Sequence, residues 1–356
     1  MTVNDIRPPA TTAVHAGSPA LTLNQVSLTL RRRGGAALRL VDDVSLTLGR
    51  GERLALVGES GCGKSVLARA ILGLDRQIEV TGDILLGQQP LAGAGERRLR
   101  SVRGRRVAMV FQNPMGALNP LMSVGAQLTE PMRYRGVTGR AARAAAGALL
   151  SDLGIVDAAR RLRSYPHEFS GGMQQRVALA MALAAQPEIL LADEPTTALD
   201  VRAQEQVIAL LDQVTRERGL SVLLISHDLS LVAGFADRVA VMYAGRIVHD
   251  DPVDAVFADP AHPYTRGLLS AVPRVDRAPG RLPAIEGTMP PPGRRPAGCA
   301  FHPRCPRRLD RCDQVVPLAR PAPGGGAVAC HLYDQTEQAE RGALTPPSPA
   351  PNGGER

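Results

Sequence analysis

The chain has 356 residues, 44% of them hydrophobic, and a formal net charge of +8. That length is too great for one ordinary domain and sufficient for a large core with an added segment. Residues 1–20 are polar, proline and small residues without a charged patch followed by an apolar run, so no signal peptide is expected and the chain should stay in the cytoplasm. The most apolar stretch, 177–185, is too short to cross a bilayer, so any membrane role is expected to run through a partner.

Arginines cluster at 31–33, 97–106 and 304–311. These clusters read as solvated surface. The few aromatics do not interleave with them as a base-stacking platform requires, so no nucleic-acid partner is expected. Of the 42 lysines and arginines only Lys64 is a lysine. A chain this biased toward arginine has kept a compact ammonium at one place, where a point charge is needed.

In chain order, residues 1–20 form a loose leader and 21–275 an α/β domain in which short apolar strands alternate with helical patterns. Buried strands are expected at Arg53–Val57, Ile189–Ala192 and Val222–Ile225. A helical insertion occupies about 113–187 and includes the alanine-rich stretch Ala141–Leu150. Val207, Ile208, Leu211 and Val214 recur at helical spacing, and Ala244-Gly245 marks a hairpin. Residues 276–333 form a Pro- and Cys-rich extension, and 334–356 has the composition of a disordered tail.

Gly58-Glu59-Ser60-Gly61-Cys62-Gly63-Lys64-Ser65 follows an apolar strand and precedes Val66, Leu67, Ala70, Ile71 and Leu74 at helical spacing. Glycines let backbone N–H groups converge on phosphate oxygens, and the helix start adds partial positive charge. Lys64 is expected on the β- and γ-phosphates and the Ser65 hydroxyl on Mg²⁺. The apolar run 189–192 delivers Asp193 and Glu194 to a strand's C-terminal end, where open α/β sheets bind ligands. Asp193 is expected in the Mg²⁺ shell and Glu194 as the group that polarises the attacking water.

Phe169-Ser170-Gly171-Gly172-Met173-Gln174-Gln175-Arg176 opens a further helix as a second anion-binding N-terminus. One ATP does not need two such loops from one subunit. This segment resembles the signature motif of ABC transporter ATPases. The resemblance implies a P-loop ATPase fold with an antiparallel β subdomain, a helical subdomain and a head-to-tail dimer. In such a dimer Ser170, Gly171, Gly172 and Gln174 serve the ATP held by the partner's loop. It also implies that Gln112 is the Q-loop residue, near Mg²⁺ and the γ-phosphate, that Asp200 belongs to the D-loop, and that His227 is the switch histidine. One departure stands out: no aromatic precedes Phe111, so adenine stacking is expected to fall to an aliphatic contact at Leu38.

Val110-Phe111-Gln112-Asn113-Pro114-Met115, Leu118-Asn119-Pro120, Tyr165-Pro166-His167-Glu168, His262-Pro263-Tyr264-Thr265-Arg266 and Pro303-Arg304-Cys305 narrow the likeness. They resemble the D-type ATPases of oligopeptide and dipeptide importers. That likeness implies a second, paralogous ATPase subunit, two membrane permeases and, indirectly, an extracytoplasmic substrate-binding protein, with the chain peripheral on the cytoplasmic face of the membrane. Nickel or another small solute is the alternative cargo, and a soluble ABC ATPase the alternative class.

Cys299, Cys305, Cys312 and Cys330 are spaced C-x5-C-x6-C-x17-C, whereas Cys62 lies in the phosphate loop as a packing residue. Four clustered cysteines in a cytoplasmic chain suggest a metal rather than disulfides. Similar extensions in the resembled family hold a [4Fe-4S] cluster, which four thiolates suit. Zn²⁺ with His302 or His331 as spare ligands, and free thiols, remain open.

Overall fold

The computed structural model describes residues 18–31, 35–196, 201–271 and 284–334. Most of the expected leader, the D-loop residues Ala198, Leu199 and Asp200, and the tail from 335 lie outside the described residues. Two sheets organise what is described. An antiparallel sheet takes the order β2-β1-β4-β5, built from β1 (Leu21–Leu30), β2 (Leu38–Leu48), β4 (Ile78–Leu86) and β5 (Gln89–Pro90). The main sheet takes the order β11-β12-β10-β9-β3-β8-β7-β6. Its members are β3 (Arg53–Val57), β6 (Val107–Val110), β7 (Ile189–Asp193), β8 (Ser221–Ser226), β9 (Arg238–Tyr243), β10 (Arg246–Pro252), β11 (Ala319–Pro321) and β12 (Ala327–Ala329).

The centre of the main sheet is parallel: β3 pairs with β8 and β9, β8 with β7, and β7 with β6. These strands are continuous apolar runs because both faces are covered. Alternation then assigns each residue to a face. Leu54 and Leu56 join the apolar cluster under the antiparallel sheet, while Ala55 and Val57 join a cluster with Tyr243, Tyr264 and Phe301. Ile189 and Leu191 face the first cluster, whereas Leu190 and Ala192 face the helical insertion, packing with Leu128, Leu150 and Leu179. The alanine-rich stretch lies within the helix Gly139–Asp152, which buries Ala142, Ala146, Leu149 and Leu150 at i, i+4, i+7 and i+8.

The C-terminal extension departs from its appearance as an appendage. Its strand β12 pairs antiparallel with β10, matching His249 with Val328 and Asp250 with Ala327, so it continues the main sheet. Pro321, which lacks an N–H, sits on the edge strand β11, where no ladder donor is needed. Phe301, 2% exposed, meets Tyr243 and Tyr264 at centroid distances of 5.2 and 5.3 Å. Burying a side chain of this size stabilises by about 1.5–3 kcal/mol, and each well-oriented aromatic pair adds about 0.5–1.5 kcal/mol. Asp251 receives the Gly326 N–H at 2.8 Å and meets His249 Nε2 at 3.2 Å, so the hairpin's attachment also has its polar groups satisfied. Composition alone hides all this, because the apolar partners that hold the extension belong to the core.

Candidate nucleotide-binding site

The parallel strands β3, β6, β7 and β8 all end at one edge, and each delivers a functional segment there. After β3 the chain turns through Gly58, Gly61 and Gly63, all at positive φ, into the helix Lys64–Ile71. Gly58 admits no side chain, and Gly63 combines a tight surrounding with a φ of +114 that side chains rarely adopt. A Cβ on Gly58 would lie 2.2 Å from the Met242 carbonyl oxygen, and one on Gly63 would lie 3.1 Å from both Val41 and Met242 side chains. Cys62 is 1% exposed, and burial raises its thiol pKa, which suits a packing role. Ser60 and Gly61 face solvent.

Lys64 is 4% exposed, and its Nζ donates to the Gly58 and Glu59 carbonyl oxygens at 2.7 and 3.0 Å. The ammonium is thus held inside the loop by exchangeable acceptors. Ser65 Oγ donates to Asp193 Oδ1 at 2.7 Å, joining the loop's hydroxyl to the end of β7. Burial raises the pKa of the Asp193 carboxyl, the Ser65 hydrogen bond opposes this, and neighbouring Glu194 adds to the rise. A divalent cation between Ser65 and Asp193 would relieve that buried charge, so these two side chains fit Mg²⁺.

Glu194 adopts φ +46, a left-handed conformation unusual for a glutamate, and its N–H donates to the Ile225 carbonyl at 3.0 Å. Gln112 Nε2, just past β6, donates to Glu194 Oε2 at 2.8 Å. His227, just past β8, places Nδ1 3.3 Å from Glu194 Oε1. The carboxylate is 11% exposed while the imidazole is 52% exposed, so one side of the histidine remains open toward an incoming group. Lys64, Ser65, Gln112, Asp193, Glu194 and His227 therefore converge, although Gln112 contacts Glu194 rather than the Ser65–Asp193 pair.

The second glycine motif opens the helix Gly171–Leu183, with Ser170 as N-cap accepting from the Met173 N–H at 3.4 Å. Ser170 and Gly171 are exposed and Gly172 half-buried. Gln174 is turned inward, donating to the Pro166 and Phe169 carbonyls at 2.9 and 3.1 Å, and so fixes the preceding loop. With Ser170 and Gly171 exposed, the helix start faces solvent.

Tyr264, Arg304, Met289 and Gly293 border the loop without any local sequence signal that assigns them there. The Tyr264 hydroxyl accepts the Glu59 N–H at 2.9 Å. The Arg304 side chain, expected as solvated surface, is only 7% exposed and binds the Glu59 carboxylate at 3.0 and 3.2 Å. Met289 packs beside Gly61, and Gly293 lies so close to Leu38 that a Cβ would stand 2.6 Å from its Cδ1. The segment around 289–293 thus runs along the loop and past Leu38, the position expected to meet the adenine. Tyr264 belongs to the segment His262-Pro263-Tyr264-Thr265-Arg266, but its partner is 205 positions away, and no local pattern links them.

In the extension, burial pushes Cys299 up to about 11 and Cys330 up to about 12, and the neighbouring cysteines add to both rises. Cys299 N–H donates to the Cys312 carbonyl at 2.8 Å. The four cysteines therefore share one neighbourhood, although among the described residues no three His, Cys, Asp or Glu side chains converge as a single metal ion requires. His331 has both ring nitrogens engaged, with Asp334 at 2.9 Å and the Val315 carbonyl at 2.8 Å, and His302 Nδ1 lies 2.9 Å from the Cys299 carbonyl. His331 is thus committed through both nitrogens and His302 through Nδ1.

A glycine loop with buried lysine, a hydroxyl–carboxylate pair and a clamped glutamate at the ends of parallel strands define a P-loop ATPase. Residues 41–197 match the ABC transporter family model, and 250–312 match that of the oligopeptide/dipeptide transporter C-terminal region. A putative peptide import ATP-binding protein of Brucella abortus is 47% identical over 90% of this chain and 97% of its own length. The dipeptide transport ATP-binding protein DppD of Bacillus subtilis is 45% identical over 87% of this chain and 93% of its own. A dimeric bacterial ABC transporter cassette, MJ0796, superposes with a TM-score of 0.59 at 28% identity, covering 65% of this chain and 98% of that one. The same cassette is known in a post-hydrolysis dimer bound to ADP and Pi. The chain belongs to the ABC transporter ATP-binding proteins, in their oligopeptide/dipeptide branch, and is an ATPase.

Proposed function

We propose that this chain powers the import of small peptides by closing on ATP against a second ATPase subunit and reopening after hydrolysis. The observation that carries this reading is the clamped Glu194 beside the Ser65–Asp193 pair, with a second, exposed anion-binding helix start at Ser170 on the same chain. Mg²⁺ would sit with Ser65 and Asp193, near Gln112. Glu194, aimed by Gln112 and His227, would accept the water's proton, and Lys64 would leave its loop carbonyls for the β- and γ-phosphates. Ser170, Gly171 and Gly172 would meet the ATP held by the partner, with Gln174 holding their loop and Asp200 acting across the same interface.

Peptide cargo follows from the relatives' descriptions and the matched C-terminal region. The partners are then a paralogous ATPase and two permeases on the cytoplasmic face of the membrane, fed by a substrate-binding protein. No helix among the described residues is long and apolar enough to cross a membrane, which agrees with a peripheral subunit. In vesicles holding the chain with two permeases and the second ATPase subunit of its transporter, dipeptide or oligopeptide uptake should require ATP. Uptake of nickel but no peptide would overturn the cargo.

Cys299, Cys305, Cys312 and Cys330 fit a [4Fe-4S] cluster better than Zn²⁺. The donor set is four thiols, of which Cys299 and Cys312 are joined backbone to backbone at 2.8 Å, and all-thiolate ligation suits an iron–sulfur cluster. When bound, the cluster would keep these thiols ionised and tie the extension together. About four irons and four sulfides per chain are expected after anaerobic purification. Stoichiometric zinc, or neither metal, would sink this assignment and leave the ATPase untouched.

A further inference from the structure

Glu59 is an acidic residue inside a loop built to receive a polyanionic triphosphate, and the free carboxylate would repel it. The structure holds Glu59 at three points. Its carbonyl accepts from Lys64 Nζ at 3.0 Å, its N–H donates to the Tyr264 hydroxyl at 2.9 Å, and its carboxylate takes both oxygens against Arg304 Nη1 at 3.0 and 3.2 Å. Arg304 is itself fixed. It donates to the Glu286 and Ile285 carbonyls at 2.9 and 3.4 Å and to the Tyr243 hydroxyl at 3.3 Å, with its guanidinium 5.8 Å from the Tyr243 ring centroid. Burial opposes the arginine's charge, but the hydroxyl and the Glu59 carboxylate favour it, with a net rise in pKa.

We propose that Arg304, from the cysteine-bearing extension, is a positioning residue of the nucleotide loop that neutralises Glu59 and holds its backbone ready for phosphate. This inference rests on the nucleotide-binding reading of residues 58–65. Tyr264 shares the positioning but carries no charge, whereas the Arg304 guanidinium meets the Glu59 carboxylate directly. Because Arg304 immediately precedes Cys305, the extension's fold and the loop's electrostatics meet at one residue.

Charge gives the test. The MgATP dissociation constant of the purified full chain would be measured at low salt for wild type, Arg304→Gln, Glu59→Gln and the double variant. The Glu59–Arg304 pair is neutral in wild type and in the double variant, net negative in Arg304→Gln and net positive in Glu59→Gln. Affinity should therefore fall about five- to tenfold in Arg304→Gln, return to within about twofold of wild type in the double variant, and rise about two- to fivefold in Glu59→Gln. Arg304→Lys should stay within about threefold of wild type. A structural role alone, through the Ile285 and Glu286 carbonyls, predicts no rescue by Glu59→Gln, and absence of rescue overturns the proposal. If Arg304→Gln does not fold, Glu59→Gln decides alone: unchanged or weakened binding overturns it. Should wild type itself fail to bind MgATP, the nucleotide reading fails, and not merely the role of Arg304.

Discussion

Glu194→Gln is expected to lower ATP hydrolysis by the assembled transporter by about 10²–10⁴-fold while leaving ATP binding largely intact. The amide is nearly isosteric and can still meet Gln112 and His227, so the positioned side chain survives while the proton acceptor is lost. The left-handed backbone at Glu194 stays anchored through its N–H to Ile225, and substitution does not disturb that anchor. Phosphate release and nucleotide binding would be measured on the same preparation. Full hydrolysis by the variant would remove Glu194 from the role of base and leave the water to another group.

Lys64→Ala is expected to have the second large effect, on binding as well as rate. A charge-assisted hydrogen bond is worth about 1.5–3 kcal/mol, which corresponds to about 10–150-fold in MgATP affinity. Loss of charge stabilisation in the transition state adds about 10²–10³-fold in rate. Lys64→Arg should not restore activity, because the larger planar group cannot occupy the buried position between the Gly58 and Glu59 carbonyls. Equilibrium binding with phosphate release separates the two effects, and unchanged affinity in Lys64→Ala would place the ammonium outside the phosphate site.

Both predictions rest on residues the sequence displayed openly. The loop from Gly58 to Ser65, the carboxylates at the end of β7 and the histidine after β8 are each contiguous with an apolar strand. A local turn or strand end fixes their direction, and covalent neighbours suffice to recognise them. That they would share one edge also followed, because parallel strands deliver their C-terminal ends to the same side of a sheet.

What tertiary structure alone decided concerns partners far apart in the chain. Gln112 and Glu194 are 82 positions apart, and their contact depends on β6 lying beside β7. Arginine clusters read as surface, yet the Arg304 side chain is largely covered, with Glu59, 245 positions away, as its counter-charge. The extension looked like an appendage poor in apolar residues. Phe301 nevertheless fills a space lined by Tyr243 and Tyr264, and β12 takes the open edge of β10. Sequence determined the chemistry carried by each short segment, since backbone geometry and residue type act locally. Folding decided which charges and apolar surfaces met, since burial and Coulomb energies depend on distances that the order of residues does not contain.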